Sequence, residues 1–358
     1  MHNSLCLALA LTLLAANARG SDRLKTFLNV SAPQTALNAP AVFTLNGKTV
    51  LVGLYFREAG RDVSAMVLDE KQWQPLGENG LAITGVGGNF LSGIATDKDG
   101  NPWVLTYYTH PSNPDRADRF FLYTLRDNRW ARVGPPNGLK AEYSGDAAIH
   151  LRGGTKPVLT YRSYDRTSQS YRHRIFKLQS DAWEETLIDS PIPPGSMITT
   201  CDHRGFVVRA EDGQILMTDV ADLERNSGAM PRYQIEFPLK HTLDQVYFGP
   251  DETLAIVGRD ANSRRILFRY SEPKDGTISD RIQLPDESEF IGANWDESGR
   301  LFIATNDSET VKVYRWGVST WTLTSTANEP SGGVLFSPSF TMLENGMPVV
   351  TWEAFFPR

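Results

Sequence analysis

What most constrains this chain is a unit that recurs seven times along its 358 residues: a strand, a tight turn and a second strand. It reads 42–47 with 50–55, then 93–101 with 103–107, 148–154 with 158–161, and 198–205 with 206–208. It continues as 246–252 with 254–257, 292–299 with 301–304, and 339–346 with 349–352. Turn tips such as Asn46-Gly47, Asp99-Gly100, Ser298-Gly299 and Asn345-Gly346 suit a hairpin, because glycine adopts the positive φ that matches strand twist. The fifth unit, with Pro250-Asp251-Glu252, lacks a tip glycine. Two further strands often follow, as in 63–68 leading to Trp73, 120–125 to Trp130, 174–178 to Trp183 and 311–315 to Trp321. The repeat is roughly 50 residues long, the length of a propeller blade. No run of ten or more residues carries a 3.6-residue period, so helix is expected to be nearly absent.

Four antiparallel strands per repeat predict an all-β fold: a single β-propeller of seven four-stranded blades. The blades are read as 40–88, 89–142, 143–194, 195–241, 242–287, 288–332, and 333–358 joined to 22–39. Segment 24–30 has no hairpin of its own and is expected to close the ring as an N-terminal outer strand, covering a free sheet edge. Six blades with one extra hairpin is the alternative.

Residues 5–16 form an apolar run too short to span a bilayer, followed by Ala16-Asn17-Ala18. Small residues there predict a signal peptide, 1–18, cleaved after Ala18, although no Lys or Arg precedes the run. Residues 19–358 are then the propeller, secreted or periplasmic, without membrane insertion. Of the two cysteines Cys6 falls in the leader, so Cys201 has no disulfide partner within the mature chain. Lys and Arg total 36 against 42 Asp and Glu, a net charge of −6 without long runs. That balance carries no footprint for nucleic acid.

Asp97-Lys98-Asp99-Gly100-Asn101-Pro102-Trp103-Val104 and Asp296-Glu297-Ser298-Gly299-Arg300-Leu301-Phe302-Ile303 resemble the repeat units of secreted bacterial seven-bladed β-propellers. Trp73-x-x-Leu76-Gly77 and Trp130-x-x-Val133-Gly134 are similar to the blade ends of lectin-type propellers. The sialidase pattern is not met, since neither a Ser-x-Asp-x-Gly-x-Thr-Trp box nor an early Arg-Ile-Pro is present. The likeness, lectin-like or sialidase-like, stays at superfamily level and transfers no site residues.

In a propeller, the loops after each second strand open on one face. Here those strand ends supply Arg57, Tyr107, Tyr108, His110, Tyr161, Arg162, Tyr164, Arg209, Arg259 and Trp352, the candidate ligand-binding residues. Aromatic rings stack on sugars, and arginine forks pair with carboxylates. The same composition also suits ordinary polar loops. The longest loops, 109–118 and 165–172, gather His110, Asp115, Arg116, Arg119, Tyr161, Arg162, Tyr164 and Arg172, either as a site or as a charge-paired cover. Cys201-Asp202-His203 is the one compact metal-ligand cluster and lies at a turn, so no metal is expected, nor any cofactor. His150, in an inner strand, reads as structural, and His173 and His241 lack visible partners. Gly-x-Ser-x-Gly, His-x-x-x-His and Gly-x-Gly-x-x-Gly are absent. The sequence therefore points to an exported, monomeric, ligand-binding propeller, its ligand a carbohydrate or other small molecule at the face of blades 1–3. A polysaccharide hydrolase or lyase using the same ring, and a scaffold for another protein, are the rival readings.

Overall fold

The structure, a computed structural model, describes residues 12–13, 37–45, 48–57, 60–69, 72–78, 87–109, 119–135, 138–140, 144–165, 169–180, 182–187, 196–201, 204–226, 228–238, 240–285, 289–306, 310–328, 334–342, 346 and 348–355. In chain order the strands begin with a two-residue β1 (Thr12–Leu13). Blade I is β2 (Leu37–Leu45), β3 (Lys48–Arg57), β4 (Gly60–Asp69) and β5 (Gln72–Pro75). Blade II is β6 (Gly87–Thr96), β7 (Pro102–Thr109), β8 (Arg119–Arg126) and β9 (Arg129–Val133), with a short β10 (Leu139–Lys140) added to β8. Blade III is β11 (Ser144–Arg152), β12 (Lys156–Asp165), β13 (Ser170–Gln179) and β14 (Ala182–Leu187). Blade IV is β15 (Met197–Cys201), β16 (Arg204–Glu211), β17 (Gln214–Asp219) and β18 (Tyr233–Glu236). Blade V is β19 (Thr242–Phe248), β20 (Leu254–Arg259), β21 (Arg265–Tyr270) and β22 (Asp280–Gln283). Blade VI is β23 (Glu289–Trp295), β24 (Leu301–Asn306), β25 (Thr310–Trp316) and β26 (Trp321–Asn328). Each is a meander of antiparallel neighbours, and together they make an all-β propeller. A parallel bridge at Gly60 and Gly87 links the sheets of blades I and II.

Seven blades was the wrong count: the propeller has six. The seventh repeat forms only the hairpin β27 (Val334–Met342) and β28 (Pro348–Phe355), to which β1 adds two residues. Ring closure by segment 22–39 is not shown. Residues 22–36 lie outside the described residues, and β2 pairs with β3 as the first strand of blade I. The recurring sequence unit marks pairs of inner strands, and a hairpin recurs wherever such a pair forms, whether or not two outer strands complete a blade. Among the described residues helix is scarce, as expected, yet one α-helix is present: α1 (Val220–Arg225), six residues long. The Asp219 carboxylate caps it, accepting from the Ala221 N–H at 2.8 Å.

The chain divides into two compact units, Ser92–Asp127 with Ala131–Leu284, and Met1–Leu91 with Asn128–Trp130 and Pro285–Arg358. In the first, the described residues pack into cores between neighbouring elements. Trp103, Leu105, Phe120 and Leu122 of blade II pack on Leu159, Tyr161 and Phe176 of blade III. Val158 and Ile175, on the other face of blade III, meet Val220 and Leu223 of α1. Phe206, Val208 and Tyr233 of blade IV meet Ile256, Phe268 and Tyr270 of blade V. In the second unit Phe302, Ala304, Val311 and Val313 of blade VI pack against Val350 of the hairpin. The second strands β20 and β24 are buried on both faces, every residue of β24 included, whereas the outer β18 alternates buried and exposed. Sandwiching between neighbours dictates near-continuous apolar runs in one and alternation in the other.

Turn chemistry repeats with the blades. Asp97 Oδ1 accepts from the N–H groups of Asp99 and Asn101, and Asp296 Oδ1 accepts from those of Ser298 and Arg300. The glycines in these turns, Gly100 and Gly299, sit at φ 82° and 72°. Among the described residues no helix is long and apolar enough to cross a membrane.

Candidate functional site

In five hairpins the first strand carries a β-bulge near its start: between Asn38 and Ala41, Ser144 and Ala147, Leu243 and Gln245, Phe290 and Gly292, and Phe336 and Ser339. Each lies at the end of its own hairpin where the second strand finishes, on the rim of that blade. A bulge bends its strand and re-aims side chains, so it shapes the rim that the loops crown.

On blade III this rim holds Arg162 and His173, which face each other across β12 and β13. The Arg162 guanidinium lies 4.8 Å over the ring of the exposed Tyr171, and its Nη1 donates to the Ser196 carbonyl at 3.3 Å. The planar cation is thereby fixed between the two blades' ends. His173 is 1% exposed, and neither ring nitrogen has a hydrogen-bond partner. Burial, reinforced by the nearby Arg162 charge, pushes its pKa down to about 3, so it is neutral at pH 7.

On blade IV, Arg209 pairs with Glu211 at 3.3 Å. On blade V, Asp244 is the bulged residue of β19. Its Oδ2 receives Arg259 at 3.2 Å and Arg265 at 3.0 Å. In the adjoining turn, Asp260 binds the N–H groups of Asn262 and Arg264 with Oδ1 and the Arg264 guanidinium with Oδ2. These carboxylates act as arginine counter-ions and hold the guanidinium planes in place. Beside them, Arg264, Arg265, Ile266, Arg281 and Gln283 line an open groove of about 290 Å³.

The expected site residues divide accordingly. Arg162, Arg209 and Arg259 are half-buried on this rim. Tyr161 is fully buried, stacked on Phe176 at 5.6 Å and 5.1 Å from Phe120. The sequence reading takes Tyr161 as a strand end, but β12 runs on to Asp165, leaving Tyr161 in the core between blades II and III. Tyr107 is half-buried against Phe120 at 5.1 Å, and Tyr108 meets Phe121 edge-on at 6.4 Å. Arg57, Tyr164 and Trp352 occupy β3, β12 and β28, with side chains outside the described set, and His110 lies outside the described residues altogether. Sequence reasoning passed over Tyr171, Asp244, Arg264, Arg265 and Arg281. The pairs Arg264-Arg265 and Arg172-His173 were visible signals at strand starts, whereas the role of Asp244 depends on a bulge that no sequence period reveals. Among the described residues no three His, Cys, Asp or Glu side chains gather into a metal-ligand set.

No sequence-family model matches the chain, and no curated protein matches it in sequence. Solved structures do. The chain is similar to virginiamycin B lyase from Staphylococcus aureus, at 12% identity over 91% of this chain and 98% of that one, with a TM-score of 0.51. It is similar to the periplasmic gluconolactonase PpgL of Pseudomonas aeruginosa, at 10% identity over 89% and 95%, TM-score 0.51. The β-propeller domain of the Trilobed protease from Pyrococcus furiosus matches at 10% identity over 89% and 93%, also with a TM-score of 0.51. At such low identity the likeness is one of fold, and the fold it shows is the β-propeller.

Proposed function

We propose that this protein is an exported ligand-binding propeller whose ligand is a carbohydrate, held on the rim of blades III to V. The observation that carries the reading is the Arg162–Tyr171 pair. An exposed aromatic ring and a planar guanidinium 4.8 Å above it form a platform with both an apolar face and hydrogen-bond donors. Sugars offer that combination in reverse, with C–H faces for stacking and hydroxyls around the edge. On blade V, Arg259, Arg264 and Arg265, held by carboxylates, extend the platform with fixed donors. The carboxylates beside them, Asp244 and Asp260, are engaged by guanidinium groups, an arrangement suited to holding a ligand rather than to transferring protons.

A glycan array, followed by calorimetry on the strongest hits, tests the proposal. Saturable binding that weakens at least tenfold in Tyr171→Ala supports it. An array without hits, or binding indifferent to Tyr171→Ala and Arg162→Ala, overturns it. Product analysis of any bound oligosaccharide would expose a lyase or hydrolase.

A further inference from the structure

The groove on blade V has a charge pattern that the platform on blade III lacks. Three of its five lining residues are arginines, and Arg259 stands next to it through their common partner Asp244. Against these four cations stand two carboxylates, Asp244 and Asp260. Asp260 is engaged by Arg264, and Asp244 is shared between Arg259 and Arg265. Arg281 is different. It is exposed on the outer strand β22, lies 6.0 Å over the buried Phe268 ring, and has no carboxylate partner among the described residues. The groove therefore keeps an excess of positive charge on a protein whose net charge is −6.

We infer that this groove is a carboxylate-binding subsite, so that the saccharide taken by the rim is an acidic one, carrying uronate-type carboxylates. The inference rests on the carbohydrate reading above and adds its substrate class. Arg281 supplies the uncompensated fork, which meets a carboxylate through two parallel N–H···O bonds. Arg265, already oriented by Asp244, supplies a second positive edge. Ile266 offers an apolar floor for a ring face. The groove's size matches a single sugar unit rather than a chain, so the rest of the oligosaccharide would run outside it along the rim. Phosphate or sulfate esters share the negative charge but not the planar two-oxygen edge.

Calorimetry with oligogalacturonate, its methyl ester and a neutral oligogalactoside, on wild type, Arg281→Gln and Arg281→Lys, tests this. The acid should bind at least tenfold more tightly than its ester, and more weakly as salt rises. Arg281→Gln should remove that preference and leave neutral-sugar binding unchanged, while Arg281→Lys keeps the salt dependence but loses part of the affinity. Melting of the variants without ligand establishes that they are folded, as expected for an exposed side chain. Equal binding of acid and ester, or a preference unchanged in Arg281→Gln, overturns the subsite and leaves the carbohydrate reading intact. Binding of none of the three alongside an empty glycan array overturns both. Oligosaccharide sulfate bound in preference to the carboxylate would overturn the uronate assignment.

Discussion

The imidazole of His150 lies directly against the α-carbon of Gly205, where an added Cβ would meet its Cε1 and Nδ1 at 2.6 Å. His150 belongs to the inner strand of blade III and Gly205 to the second strand of blade IV, so this contact sets how closely the two sheets approach. Gly205→Ala should cost about 1–3 kcal/mol through overpacking. Gly299 is a control of the opposite kind. It sits at φ 72° with nothing within 4 Å of an added Cβ, so Gly299→Ala should cost about 1 kcal/mol through backbone conformation alone. His150→Ala should relieve the first penalty and leave the second unchanged, as read from denaturant midpoints.

His173 makes stability depend on pH. Its folded pKa of about 3 lies below the ordinary 6.5 because burial, and then Arg162, disfavours the imidazolium. Between those values the unfolded chain holds a proton that the folded one does not. Stability is therefore complete above pH 6.5 and falls as pH drops toward 3, by up to about 1.4 kcal/mol per unit. His173→Leu should flatten this limb between pH 6.5 and 4. It should cost little at pH 7, since no hydrogen bond to the ring is lost. An unchanged slope in the variant would contradict the assignment.

Glu252 fastens blade IV to blade V. Lys274 and Arg232 reach it at 2.9 Å and Arg204 at 3.7 Å. The Lys274 ammonium, outweighing partial burial and helped by Tyr233 and Arg232, lowers its pKa from 4.5 to about 2. The depressed carboxylate contributes stability that is present above pH 4.5 and lost as pH falls through 2. Because the side chain is a third exposed, solvent screening keeps the effect small. Glu252→Gln should cost about 1 kcal/mol at pH 7, and the difference from wild type should close near pH 2 in chemical denaturation.

The Glu224 side chain is 1% exposed in α1, with Lys177 of β13 at 3.1 Å from it. Removing that ammonium would take a cationic partner from a carboxylate in a poorly solvated place. Lys177→Met should therefore destabilise by about 3 kcal/mol, and adding Glu224→Leu should restore most of the loss. Equal costs for the single and double variants would contradict this.

Much of the architecture is legible in local chemistry, because each blade repeats the same solution. Asp97 and Asp296 announce their turns, and the apolar runs of β20 and β24 announce strands buried on both faces. Blade number is less legible, since residues 334–355 carry the hairpin signal without the strands that complete a blade. The six-residue α1 is too short for a helical period to stand out. At the rim, Arg162 and Arg259 were readable from strand ends. Tyr161 was misplaced because a strand four residues longer than expected put it in the core. Asp244 was invisible because a bulge breaks the two-residue alternation on which facing arguments depend.

The central claim, a saccharide site at the rim of blades III to V, is tested most directly by melting the wild-type protein and Arg162→Ala with neutral and acidic oligosaccharides. Ligand at a hundred times its dissociation constant adds about 2.7 kcal/mol to the folded state. The account predicts an upward shift for the wild type with at least one saccharide, and none for Arg162→Ala with the same one. No shift with any saccharide, or equal shifts in both proteins, would contradict it.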